Sequence, residues 1–190
     1  QSPIPTCYNV FPSAYWTHYM RVLIFGAGGQ LGRDLLRVFK ADYTVIGLTH
    51  AQANIVEGEA VKLAVRDARP DLVLNAAAYT DVEKAEDDER GAFHTNANGA
   101  QRIAEASAAL EVPVVYFSTD FVFDGTKRDA YTPEDKTSPK SVYAKSKLRG
   151  EENTLWGNPQ SFVIRTAWLY GPGGNNFVEK IAKAAASRPS

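Results

Sequence analysis

The 190-residue chain has one cysteine, Cys7, which excludes an internal disulfide framework and fits a reducing compartment. Its net charge is only −1, so no basic field exists to draw nucleic acid or an anionic membrane. Histidine is scarce: His18, His50 and His94 keep no metal-ligand spacing with one another or with Cys7. No apolar run approaches the ~20 residues that crossing a bilayer requires. After Met20 there is no internal repeat, low-complexity tract or linker. What remains is an ordinary globular balance, 44% hydrophobic and 23% charged, on a chain long enough to bury one core. A cytoplasmic protein is expected.

Methionine also occurs once, at Met20, directly before a clean strand pattern. Residues 1–19 hold three prolines and several aromatics without helical or strand period. They lack the basic start and apolar centre of a signal peptide. They read as a leader or appended arm, with residues 20–190 as one domain. The alternative is a genuine arm that packs its aromatics on that domain.

Beyond Met20, apolar runs and helical spacings alternate. Strands are expected at Arg21–Phe25, Tyr43–Leu48, Leu72–Asn75, Val112–Phe117 and Phe162–Arg165. Helices are expected at Arg33–Lys40, Glu57–Ala68 and Phe177–Ser187, and in two pieces over Asp81–Leu110 that break around Glu89 to Gly91. The strands are continuous apolar runs, as in a parallel sheet covered on both faces. The fold class is therefore α/β, a Rossmann-like doubly wound parallel sheet with helices on both faces.

Gly26, Gly29 and Gly32 form Gly-x-x-Gly-x-x-Gly between the first strand and its helix. Such a turn must be tight, let backbone approach a pyrophosphate and pack helix on strand. The helix N-terminus then offers N–H groups and a positive dipole end to phosphates. The third glycine's place in Gly-x-Gly-x-x-Gly is taken by Leu31, and no P-loop Gly-Lys-Ser/Thr follows. A dinucleotide is the expected ligand. An acid at the tip of the second strand would favour NADH. Here that tip is Leu48-Thr49-His50, which leans toward NADPH.

Tyr143 and Lys147 sit four apart, so on a helix they share a face. Serine suits an N-cap and proline a first turn, so Ser138-Pro139 is expected to start that helix. Free tyrosine titrates near pKa ~10, and an adjacent ammonium is expected to lower it. That gives an acid/base group for carbonyl–alcohol interconversion. Ser118-Thr119-Asp120 ends the fourth strand, where ligands of open α/β sheets bind. A hydroxyl there can donate to a substrate carbonyl oxygen.

These stretches together resemble the dTDP-4-dehydrorhamnose reductase family of extended short-chain dehydrogenases/reductases. The resemblance rests on Gly26 to Gly32, on Asn75-Ala-Ala-Ala-Tyr-Thr-Asp-Val-Glu-Lys-Ala-Glu86 and on Ser118-Thr-Asp-Phe-Val-Phe-Asp-Gly125. Tyr143 to Glu151, Arg165-Thr-Ala-Trp-Leu-Tyr-Gly171 and Gly174 to Phe177 extend it. It implies that Gly29, Gln30 and Leu31 line the cofactor pyrophosphate, and that Ala76, Ala77 and Ala78 pass beneath the cofactor. Gly26, Gly32, Thr49, Asn54 and Phe117 complete the expected cofactor site. Thr119 would hold the sugar carbonyl with Asp120 beside it, and Tyr143 would supply the proton. Lys147 would bond the nicotinamide ribose and tune Tyr143. Trp168, Asn175 and Asn176 would contact the dTDP-sugar.

The resemblance also implies a homodimer and, in some members, magnesium at subunit contacts. A solvated helix face accounts for the acidic run Glu83 to Arg90 without a metal. Family members usually carry an aspartate where this chain has Ala53-Asn54-Ile55. They also extend well past the position of Ser190, so sugar binding is expected to need further chain. Two other readings stay open at this level. One is a non-catalytic subunit resembling the regulatory subunit of methionine adenosyltransferase. The other is a nucleotide-sugar epimerase or dehydratase.

Overall fold

The computed structural model describes residues 20–171 and 176–187. The expected leader at 1–19 and the candidate Asn175 lie outside them. Five parallel strands form one sheet: β1 (Arg21–Phe25), β2 (Thr44–Leu48), β3 (Leu72–Asn75), β4 (Val114–Thr119) and β5 (Phe162–Thr166). Their spatial order is β2-β1-β3-β4-β5. The helices are α1 (Gln30–Phe39), α2 (Gly58–Ala68), α3 (Val82–Asp87), α4 (Glu89–Phe93), α5 (Ala100–Ala108), α6 (Val142–Gly157) and α7 (Phe177–Ser187). A π-helical segment, His94–Gly99, joins α4 to α5, and a 3₁₀ turn, Asp120–Val122, follows β4.

The expected doubly wound sheet is present, and its two faces account for the apolar runs. Leu23, Phe25, Val73 and Val114 point to one face and bury Val61, Val65 and Ile103 from α2 and α5. Val22, Ile24 and Leu74 point to the other, against Leu35, Leu36 and Phe39 of α1. Residues 22–25 of β1 are wholly buried, because the strand lies inside the sheet and is covered on both sides. From β1 the chain first moves outward to β2, then crosses back to β3 on the other side. That reversal opens a crevice beyond the carboxyl ends of β1 and β3, where open α/β sheets take ligands.

Some boundaries differ from the sequence expectation. Helix α1 starts at Gln30 because Gly29 itself is the N-cap. The break in the long helical stretch falls at Asp88, whose carboxylate accepts from Gly91 N and starts a new helix. Asp81 likewise caps α3 through Lys84 N. The acidic run therefore carries one helix start, at Asp88, as well as solvated charge, and Asp81 just before it makes another. Helix α6 begins at Ser141, whose hydroxyl accepts from Ala144 N, and not at Ser138-Pro139. Ser138 N is instead committed to Val122 O, which ties the preceding loop to the 3₁₀ turn.

Candidate active site

The crevice is a cleft of about 620 Å³ lined by Gly26, Gly29, Thr49, Asn54 and the strip Ala76–Ala78. Each glycine of the turn serves a different physical need. Gly26 has φ +78° and its Cα lies so close to Ala77 that a Cβ would stand 2.5 Å from Ala77 N. A Cβ on Gly32 would sit 2.1 Å from Gly26 O, so this residue lets α1 rest on the turn. At Gly29 a Cβ would meet only Gly26 O, at 3.4 Å. Protein packing does not demand a glycine there, whereas a phosphate drawn up to the start of α1 would. No side chain caps α1. Gln30 turns its amide to Leu169 O at 3.2 Å, and Leu31 and Gly32 lie within the helix.

At the tip of β2, Thr49 donates from its hydroxyl to Gln52 Oε1 at 2.8 Å, closing a short turn. Asn54 faces the cleft between buried Ala53 and Ile55; its carbonyl accepts from Val56 N and its amide donates to Glu57. The position thus presents a neutral group already tied to its own loop. No carboxylate lines the cleft among the described residues, although His50, His94 and Thr95 do. His94 and Thr95 come from the π-helical segment and were not readable as site residues, since nothing in their spacing marks them.

A second cluster lies beyond β4. Thr119, nearly buried at the strand end, donates to Asp120 Oδ1 at 3.1 Å and accepts from Phe121 N at 3.2 Å. The Tyr143 phenol lies beside it, close enough for the Thr119 hydroxyl to pull the phenol's pKa down. Phe121 meets the Tyr143 ring edge-on, with centroids 6.1 Å apart. Lys147 follows one turn along α6 and is 2% exposed. Its Nζ donates to Phe117 O at 2.6 Å and lies 4.2 Å from the Tyr116 ring centroid. Phe117 and cleft-lining Ala76 pack on the same core, so the two clusters adjoin.

The electrostatics correct one expectation. Burial pushes the Tyr143 phenol above its ordinary pKa; the Thr119 hydroxyl opposes this and the Asp120 carboxylate adds to it. The ammonium of Lys147 is spent on the Phe117 carbonyl, so the expected lowering of Tyr143 by its neighbour is absent. Burial instead pulls Lys147 itself down to about 7, with Glu151 opposing. A lysine that is harder to protonate folded than unfolded makes stability rise with pH, here from about 7 toward the unfolded value of 10.5. Urea unfolding of the wild type should show that rise, and Lys147→Met should flatten it.

The remaining candidates stand apart. Trp168 has φ 53°, is 72% exposed and packs edge-on to Phe177, with centroids 5.0 Å apart. Asn176 is buried; it accepts from Glu179 N and donates to Gly171 O, which makes it the cap of α7. Among the described residues no three His, Cys, Asp or Glu side chains gather where a metal ion could be held. None of the described helices is long and apolar enough to cross a membrane.

A glycine-lined crevice at the switch point of a parallel sheet, beside a Thr, Tyr and Lys cluster, defines a Rossmann-like domain of the short-chain dehydrogenase/reductase kind. Comparison with known proteins narrows this. The sequence profile of the RmlD substrate binding domain matches residues 20–190, and the chain belongs to that family. A dTDP-4-dehydrorhamnose reductase of Sinorhizobium fredii is 41% identical over 166 residues, which cover 87% of this chain and 56% of that protein. The crystal structure of dTDP-4-dehydrorhamnose reductase from Bacillus anthracis in complex with NADP superposes with TM-score 0.88 at 34% identity, over 90% of this chain and 61% of that one. The Clostridium acetobutylicum ortholog gives TM-score 0.86 at 37% identity, over 89% and 60%. The chain therefore spans little more than half the length of these relatives.

Proposed function

We propose that residues 20–190 form the cofactor-binding and acid-bearing part of a cytoplasmic dTDP-4-dehydrorhamnose reductase. The reaction would form dTDP-L-rhamnose, a building block for cell-surface polysaccharide. The observation that carries this reading is the juxtaposition of Thr119 and Tyr143 at the end of β4, next to a cleft shaped for a dinucleotide. The similarity to reductases, one of them holding NADP, supports it. A homodimer fits the family resemblance.

The cofactor supplies a hydride to the ketone carbon when bound. Gly26, Gly29 and the start of α1 would hold its pyrophosphate, with Ala76–Ala78 beneath it. Among the described residues no carboxylate lines the cleft beside Thr49 and Asn54 to repel a 2′-phosphate, so NADPH is the preferred form. Thr119 would turn its hydroxyl from Asp120 Oδ1 to donate to the sugar ketone oxygen. The raised pKa of Tyr143 keeps the phenol protonated at neutral pH, as an acid must be to protonate the oxygen formed on reduction. Lys147, one helical turn from Tyr143 and anchored on Phe117 O, would bond the nicotinamide ribose. Trp168, Asp120, Asn175 and Asn176 are the residues assigned to the nucleotide sugar. The test is NADPH oxidation by dTDP-4-dehydrorhamnose, followed at 340 nm, with NADH as the comparison.

A further inference from the structure

Helix α1 starts where the pyrophosphate is expected, and its first residue also reaches a distant part of the chain. The side-chain amide of Gln30 donates to Leu169 O at 3.2 Å, across 139 positions of sequence. One turn further along α1, Asp34 approaches so closely that a Cβ on Gly171 would stand 2.6 Å from its Oδ2. Residues 169–171 therefore lie against the first turns of α1. Helix α7 holds the same segment from its other end. Asn176 Nδ2 donates to Gly171 O at 3.1 Å, and the Phe177 ring meets the Trp168 ring edge-on.

Between these holds Trp168 takes φ 53° while 72% exposed. A bulky residue in the left-handed region is a backbone outlier, and such strain persists only where the surroundings over-determine it. The turn gains the indole little burial, so its effect is to present the ring. No side chain caps α1, which leaves its first backbone N–H groups available to a phosphate. Gln30 thus has its backbone at the pyrophosphate end of the cleft and its side chain on the segment that carries Trp168.

We propose that Gln30 is a positioning residue that couples cofactor binding to the setting of Trp168. A dinucleotide bound at the start of α1 fixes the helix end to which the Trp168 segment is tied, and so orders the ring for the nucleotide sugar. The proposal rests on the reductase reading and deepens it. The test uses the full chain with Trp16→Phe and Trp156→Phe, which leaves Trp168 as the one tryptophan. Saturating NADP+ should lower acrylamide quenching of Trp168 by at least about twofold, since binding that rigidifies a segment shields it. In Gln30→Met, which keeps the length and loses the donor, saturating NADP+ should leave the quenching unchanged. Gln30→Lys, which keeps an N–H donor, should regain the response. Gln30→Ala takes the place of Gln30→Met if the latter does not fold. A merely structural tie gives a different pattern: Gln30→Met raises quenching equally with and without NADP+, and the parent does not respond to NADP+. That pattern overturns the proposal, as does an equal NADP+ response in parent and Gln30→Met. A parent chain that does not bind NADP+ overturns the reductase reading itself.

Discussion

Tyr143→Phe should lower turnover of dTDP-4-dehydrorhamnose by about 100- to 10,000-fold while NADPH binding persists. The substitution removes one oxygen and leaves the ring. The edge-on contact with Phe121 survives, and so does the Tyr143 carbonyl that accepts from Ser146. Helix α6 keeps its Ser141 cap, so the fold should hold. What disappears is the phenol beside Thr119, kept protonated by burial and by the Asp120 carboxylate. Thr119 can still hold the ketone oxygen, but no group of suitable acidity remains to protonate it. Stopped-flow or steady-state NADPH oxidation gives the rate, and fluorescence titration with NADPH gives the affinity. A parallel loss of affinity would place Tyr143 in binding instead of chemistry.

Arg165→Ala should destabilise the protein by about 3–5 kcal/mol, because it strands a buried carboxylate. Glu151 on α6 is 3% exposed and takes three close contacts from the guanidinium, at 3.0, 3.2 and 2.6 Å. Arg165 on β5 also lies 5.1 Å from the Phe123 ring centroid, and Phe123 stacks on Tyr131 at 4.1 Å. The pair therefore fastens the edge strand and the loop before α6 to the helix that carries Tyr143 and Lys147. Removing both charges with Glu151→Gln and Arg165→Met should cost much less than Arg165→Ala alone, since no unpaired charge stays buried. Arg165→Lys should recover only part of the loss, because a single ammonium cannot match the fork. Thermal unfolding would check this: Tm should fall by about 6–20 °C in Arg165→Ala for a domain of this size.

Much of this was legible in the sequence because the physics is local. Continuous apolar runs such as Val22 to Phe25 announce strands buried on both faces, and the glycine turn announces the crevice. Leu72–Asn75 and Phe177–Ser187 fall where periodicity puts them. Ser138-Pro139 misled because a good capping pair is only an opportunity; the Ser138 amide took a tertiary partner, Val122 O, and the cap moved to Ser141. The acidity of Tyr143 was misjudged for a similar reason. Spacing shows that Lys147 shares its face, but not that the ammonium turns to the Phe117 carbonyl. His94 and Thr95 were invisible, since nothing in their spacing marks them as cleft residues on the π-helical segment.

The most direct measurement is the stoichiometry of NADPH consumed to dTDP-L-rhamnose formed when the protein meets dTDP-4-dehydrorhamnose. One NADPH lost per sugar reduced, with the signal gone in Tyr143→Phe, is the result expected of a Tyr143 acid beside a dinucleotide cleft. Product without net NADPH loss, or equal turnover by Tyr143→Phe, would contradict it.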